Sequence, residues 1–199
     1  MFKTLEPYVL TFIQIFVAVD SLGNIPLFIS LIEGVGKKHR HKIIIESVTT
    51  ATVMAVLFLL IGKWILRFIG VTIPDFQVAG GVLLFVIALR LLLPGTTRHF
   101  LSDGHNKEIG VFPLGTPLIT GPAVLTTTLI MLDTFGPGPT LVSLVLNMLI
   151  VWFTLVKADG IMKIMGVSGT RAFAKIMYIL LAAIGVMMVR RGIMGIFSI

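Results

Sequence analysis

Six apolar stretches of roughly 20 residues dominate the sequence, and a helix needs about that many apolar residues to cross the hydrocarbon of a bilayer. They run over about Tyr8–Ile32, Ile43–Ile61, Asp75–Leu93, Ile109–Leu132, Pro139–Val156 and Phe173–Ile196. Of the 199 residues 56% are hydrophobic and only 13% charged, with a mean hydropathy of +1.05. A soluble core of this size could not enclose so much apolar surface. No ten-residue alternation typical of barrel strands is present, so the spans read as helices. The expected fold is an all-α membrane protein with six transmembrane helices. Met1–Thr11 lacks a basic segment followed by a small-residue cleavage site, so the first span is expected to be retained.

The net charge of +7 would point to nucleic acid in a soluble chain. Here the basic residues fall between spans, with no aromatic residues interleaved, which argues against a nucleic-acid partner. Lys37, Lys38, Arg40, Lys42, Arg90, Arg98, Lys107, Lys157, Lys163, Arg171 and Lys175 lie near the first, third and fifth loops. Lys3, Lys63, Arg67, Arg190 and Arg191 lie on the other side. The positive-inside rule then makes the odd loops cytoplasmic and puts both termini outside a cell membrane crossed several times. Without cysteine the chain has no disulfide, thiol nucleophile or thiolate metal site.

Two strings recur in the same order. Ser21-Leu22-Gly23-Asn24-Ile25-Pro26-Leu27 in the first span is matched by Pro113-Leu114-Gly115-Thr116-Pro117-Leu118 in the fourth. Ile65-Leu66-Arg67-Phe68-Ile69-Gly70-Val71 is matched by Ile161-Met162-Lys163-Ile164-Met165-Gly166-Val167. This pattern implies a duplication: a repeat over 1–95, a cytoplasmic connection over 96–108 and a second repeat over 109–199. Three spans per repeat force the second copy to enter from the opposite face, which makes the repeats inverted.

The first pair of strings also contains the least helical parts of their spans. Asp20 to Pro26 places an acid, a glycine, an amide and a proline near mid-membrane. Phe112 to Pro122 holds Pro113, Pro117 and Pro122 with Gly115 and Gly121. Glycine weakens a helix and proline removes an amide donor, so spans one and four are expected to break there. Irregular backbone at that depth must be buried in protein or line a wet cavity. A helix restarting after a break presents free amides and the positive end of its dipole, suited to a carboxylate, while unwound carbonyls suit an ammonium. A zwitterionic amino acid offers both charges. Paired packing kinks would be the alternative use of the same residues.

Charges within spans are costly and mark ion or substrate routes, which singles out Asp20. Glu46, in the first turns of the second span, either faces the same cavity or sits at the interface. Thr116 and Thr120 offer hydroxyls in the fourth span, and Asn147 in the fifth reads as a bond between helices. His99, Asp103, His105 and Glu108 match no metal-ligand spacing, so neither a metal nor a cofactor is expected. An intramembrane aspartyl protease would need two apposed carboxyls, for which only Asp20 and Glu46 are available; no enzyme is expected. A passive channel or exporter for small polar solutes, or a subunit that transports nothing, stand as rivals to a carrier.

Asp20-Ser21-Leu22-Gly23-Asn24-Ile25-Pro26 together with Pro113-Leu114-Gly115-Thr116-Pro117-Leu118-Ile119-Thr120-Gly121-Pro122 resembles the MarC/SnatA family of six-helix membrane proteins. The resemblance covers essentially the whole chain; Ser21 stands where the family pattern often has proline. It implies secondary transport of small neutral amino acids such as glycine and alanine by alternating access, driven by protons, with sodium the lesser alternative. By the same resemblance Ser21, Gly23, Asn24, Pro26, Gly115, Thr116, Pro117, Thr120 and Gly121 would form the substrate site. Asp20 and Glu46 would serve coupling. The implied partners are the substrate, the coupling proton, the lipid bilayer and a second copy of the chain in a homo-oligomer.

Overall fold

The computed structural model describes residues 2–21, 23–32, 35–93 and 110–197, and among these the regular structure is entirely helical. The expected connection over 96–108, with His99, Asp103, His105 and Glu108, lies outside the described residues. The elements are α1 (Phe2–Val19), α2 (Asn24–Leu31), α3 (Lys37–Ile69), α4 (Ile73–Leu92), the π-helical α5 (Gly110–Ile119), α6 (Pro122–Phe135) and α7 (Pro137–Ile196).

Among the described residues four helical segments are long and apolar enough to cross a membrane: Lys38–Ile69, Ile73–Leu92, Pro137–Gly160 and Lys175–Ile196. The first and fourth expected spans do not appear as single helices. Each is two shorter pieces, α1 with α2 and α5 with α6, because the Gly/Pro strings interrupt them. Many of the large apolar side chains face outward, Phe68 at 94% exposure, Trp64 at 78% and Val17 at 71%. Water would not tolerate such a surface, and lipid does.

Local chemistry fixes the turns between α3 and α4. Gly70 ends α3 in the left-handed region (φ 78), and the Val71 amide donates back to the Leu66 carbonyl at 2.9 Å. Such a cap satisfies carbonyls that the helix end leaves open. Two residues later Thr72 and Asp75 form a reciprocal capping box, with Pro74 in the first turn of α4. The matched string over 161–167 behaves differently. Instead of a loop between the expected fifth and sixth spans, helix continues from Pro137 to Ile196, interrupted only at Gly166 (φ 68, ψ 174). That conformation is essentially confined to glycine.

The third and sixth expected spans approach each other closely. A side chain on Gly81 would stand 2.5 Å from the Gly185 carbonyl oxygen, and one on Gly185 2.7 Å from that of Gly81. Farther along, Gly192 abuts Val78 and the Pro74 carbonyl. Low numbers on α4 meet high numbers on α7, so the two helices run antiparallel, backbone against backbone. Small residues permit this contact, which is how helices associate without a hydrophobic drive between them. The buried core draws on both broken regions and the long helices at once, with Val19, Phe28, Ala51, Leu114, Val124 and Val151 among its members.

Gly185→Leu is expected to force α4 and α7 apart and lower stability by about 1–3 kcal/mol. Thermal unfolding of the purified protein in detergent would read this, with Val186→Leu, on the outward surface, as the unaffected control. An unchanged midpoint for Gly185→Leu would mean that the two backbones do not meet this closely.

Candidate functional site

At the first break the chain supplies its own caps. Asp20 adopts φ 45, a left-handed conformation that aspartate tolerates better than most residues. Its Oδ1 accepts the Gly23 amide at 3.1 Å, while the Asn24 side-chain amide donates to the Val19 carbonyl at 2.9 Å. The carboxylate thus serves the opening of α2 and the amide serves the end of α1. The regular ladder resumes with the Asn24 amide on the Asp20 carbonyl at 3.1 Å. Gly23 has to be small: a side chain there would meet the Asp20 carboxylate at 2.2 Å.

The second break is built otherwise. The π-helical α5 closes with the Thr120 amide on the Gly115 carbonyl at 3.1 Å, a bond five residues back. Gly121 follows in extended conformation and Pro122 opens α6. No side chain caps this helix, and its first internal bond is the Leu125 amide on the Gly121 carbonyl at 3.0 Å. The amides of Ala123 and Val124 therefore have no acceptor within the helix. Contacts with α3 hold α5 in place. The Thr120 hydroxyl donates to the Ala51 carbonyl at 2.8 Å, and a side chain on Gly115 would stand 3.1 Å from the Ser47 carbonyl oxygen.

The two breaks share one cavity. Asp20, Gly23 and Asn24 line it from the first, and Pro117, Gly121, Ala123 and Val124 from the second. Its volume is about 40 Å³; at 10–15 Å³ per water that is room for about three. Among the described residues of the lining Asp20 is the single charged one, and Asn24 the single side-chain amide. Asp20 and the uncapped start of α6 thus border the same mostly apolar space.

Of the expected site residues, Asp20, Gly23, Asn24, Pro117 and Gly121 line this cavity. Ser21, Gly115, Thr116 and Thr120 do not. Gly115 and Thr120 secure α5 to α3, and Ser21 and Thr116 carry buried hydroxyls with no partner among the described residues. The backbone of Pro26 lies in the first turn of α2. Glu46 is 3.5 Å from Lys42 and packs beside Gly110, apart from the cavity lining. Asn147 joins α7 to α1 as expected, donating to the Phe12 carbonyl at 3.3 Å.

Sequence reasoning missed the apolar wall opposite the breaks: Leu84 of α4 with Met177, Leu181 and Ile184 of α7. The last three recur at helical spacing on one face, but a lipid-facing stripe has the same pattern. The open amides at the start of α6 are of the kind expected where a span restarts after a break, and Gly121 has no side chain to cap them.

Comparison with known proteins identifies the family. The MarC family integral membrane protein profile matches residues 5–197. A UPF0056 membrane protein of Methanocaldococcus jannaschii is 35% identical over 96% of this chain and 88% of its own length. The chain belongs to the MarC family of integral membrane proteins. A second UPF0056 membrane protein of the same archaeon is 30% identical, over 96% of this chain and 98% of its own. The UPF0056 inner membrane protein YhgN of Escherichia coli K12 is 27% identical, over 88% and 90%. No solved structure matches. In this MarC protein the family match runs through both breaks and the cavity between them.

Asn24→Ala would leave the buried Val19 carbonyl without its partner, at a cost of about 1–3 kcal/mol. Unfolding by sodium dodecyl sulfate in mixed micelles should shift to lower detergent fraction. Wild-type resistance in this variant would show that the amide does not hold the break together.

Proposed function

We propose that this MarC protein is a secondary transporter of small neutral amino acids, glycine and alanine foremost, coupled to protons and working by alternating access. The observation that carries the reading is the pairing of Asp20 with the uncapped start of α6 across one small cavity. A carboxylate on one side suits an ammonium, and free amides at a helix start suit a carboxylate. The two charges of a zwitterion then find complementary ends, and the apolar wall of Leu84, Met177, Leu181 and Ile184 leaves little room for a side chain. Asp20 is also the one group in the lining that can take up and release a proton at a carboxylate, so coupling is assigned there.

The same reading takes the fold as six spans in two inverted repeats over 1–95 and 109–199, with both termini outside. Three observations support it. The first break overlaps its matched string, and the second follows its own by two residues. The matched glycines Gly70 and Gly166 both have positive φ, 78 and 68. The third and sixth expected spans pack antiparallel, as a two-fold axis in the membrane plane requires. The acid–base enzyme alternative would need Glu46 beside Asp20, but Glu46 is engaged with Lys42 outside the cavity lining.

Uptake of labelled glycine and alanine into proteoliposomes, with and without an inward proton gradient, tests the proposal. Wild type should show saturable, gradient-stimulated uptake. Asp20→Asn should reduce apparent affinity about tenfold or more, the size of a lost hydrogen bond to a charged group, and abolish the stimulation. Linear, unsaturating flux would indicate a passive pore, and no uptake of either amino acid would remove the substrate assignment.

A further inference from the structure

Among the described residues two ion pairs join separate helices, and both involve α3. Near its start Arg40 meets Asp159 of α7, Nη1 to Oδ1 at 2.9 Å. Near its end Lys63 pairs with Asp133 of α6. Arg40 and Lys63 are about 35 Å apart along the helix, from the rise per residue, which exceeds the roughly 30 Å hydrocarbon thickness. One pair therefore sits at each membrane face.

The internal repeat relates these pairs to each other. Lys63 stands seven residues before Gly70, and Asp159 seven residues before Gly166, the matched glycines of the duplicated string. The two residues occupy one repeat position with opposite charge. Each reaches across to the other repeat: Lys63 to the end of α6, and Asp159 to Arg40, just beyond α2. Arg40 also donates its Nε proton to the Val35 carbonyl at 2.7 Å, which ties the chain leaving α2 into the first pair. α2 and α6 are the second pieces of the two broken spans, and their inner ends line the cavity with Asn24 and with Ala123 and Val124. The Lys63–Asp133 pair thus fastens the outer end of α6 directly, and Arg40–Asp159 holds the residue that ties down the chain leaving α2.

We propose that Arg40–Asp159 and Lys63–Asp133 are matched latches, one at each face, and that opening one frees its half-helix to admit solute from that face alone. The purpose of the latches rests on the transporter reading, but their existence does not. Their exposure suits the role. Side-chain exposures of 28% and 53% in the first pair and 42% and 56% in the second leave the charges within reach of water. Ion pairs of that kind contribute little to stability and open readily, so losing one should alter access while the fold remains.

The chain has no cysteine, so Ala18→Cys or Ala123→Cys in the cavity lining introduces a single thiol. Its reaction with a charged, membrane-impermeant methanethiosulfonate would be timed in right-side-out and inverted vesicles without substrate. Arg40→Ala should speed labelling about two- to fivefold from the face bearing residues 35–42 and leave the other unchanged, given the weakness of such pairs. Lys63→Ala should do the converse. The exchanged pairs R40D/D159R and K63D/D133K should each return the rate to its starting value. Equal change at both faces, no change at either, or failure of the exchanges to restore the rate would overturn the latches. Because no substrate is present, that failure is distinct from a failure of amino acid uptake.

Discussion

In hydrocarbon an unpaired backbone amide or carbonyl costs several kcal/mol, and every irregular feature of this chain has to be reconciled with that penalty. A continuous helix avoids it automatically. This protein interrupts its helices at Asp20–Gly23 and at Thr120–Gly121 and deals with the exposed groups locally. At the first interruption Asp20 and Asn24 supply a side-chain acceptor and a side-chain donor to the two helix ends they separate. At the second the π-helical bond from Thr120 to Gly115 carries the ladder as far as it will go. Beyond that point α6 begins uncapped, and its first residues, Ala123 and Val124, line the cavity.

That difference gives the cavity its polarity. Had both half-helices been capped by carboxylates, the site would have two negative walls; had neither been, two positive ones. With Asp20 closing one and no side chain closing the other, the two half-helices present unlike ends. The divergence rests on few residues. Gly23 leaves room for the carboxylate to fold back over α2, while Gly121 offers no side chain with which to cap α6. The proposed zwitterion selectivity depends on the two breaks being built with different chemistry.

The four long apolar helices were legible because their signal is cumulative: α4 begins and ends within two residues of its expected bounds, and both breaks lie inside the Gly/Pro stretches that announced them. Gly and Pro act locally, so their effect survives without knowledge of the fold. What the sequence hid is tertiary. Gly115 and Thr120 are polar-break residues by pattern, but their neighbours on α3 make them packing and anchoring groups. Met177, Leu181 and Ile184 differ from lipid-facing residues only in what lies opposite them. The continuity of α7 through Lys163 was obscured because a basic residue among apolar ones reads equally as a loop or as a helix end. Only the backbone at Gly166 shows how little of the turn remains.

The attachments of the helices divide the molecule into parts that are held firmly and parts that are held lightly. α5 is bound to α3 by a buried hydroxyl bond and by close backbone contact at Gly115, so the two should move as one body. α4 and the last part of α7 are joined backbone to backbone through Gly81 and Gly185 and form another close contact. By contrast, the outer end of α6 is fastened by the exposed Lys63–Asp133 pair, and the chain leaving α2 by Arg40. Buried contacts resist displacement because separation would open voids or strand polar groups, whereas exposed charges can exchange one another for water at little cost. Rearrangement in such a structure should therefore concentrate in the half-helices, the elements that also carry Asn24 and the open amides of Ala123 and Val124 to the cavity.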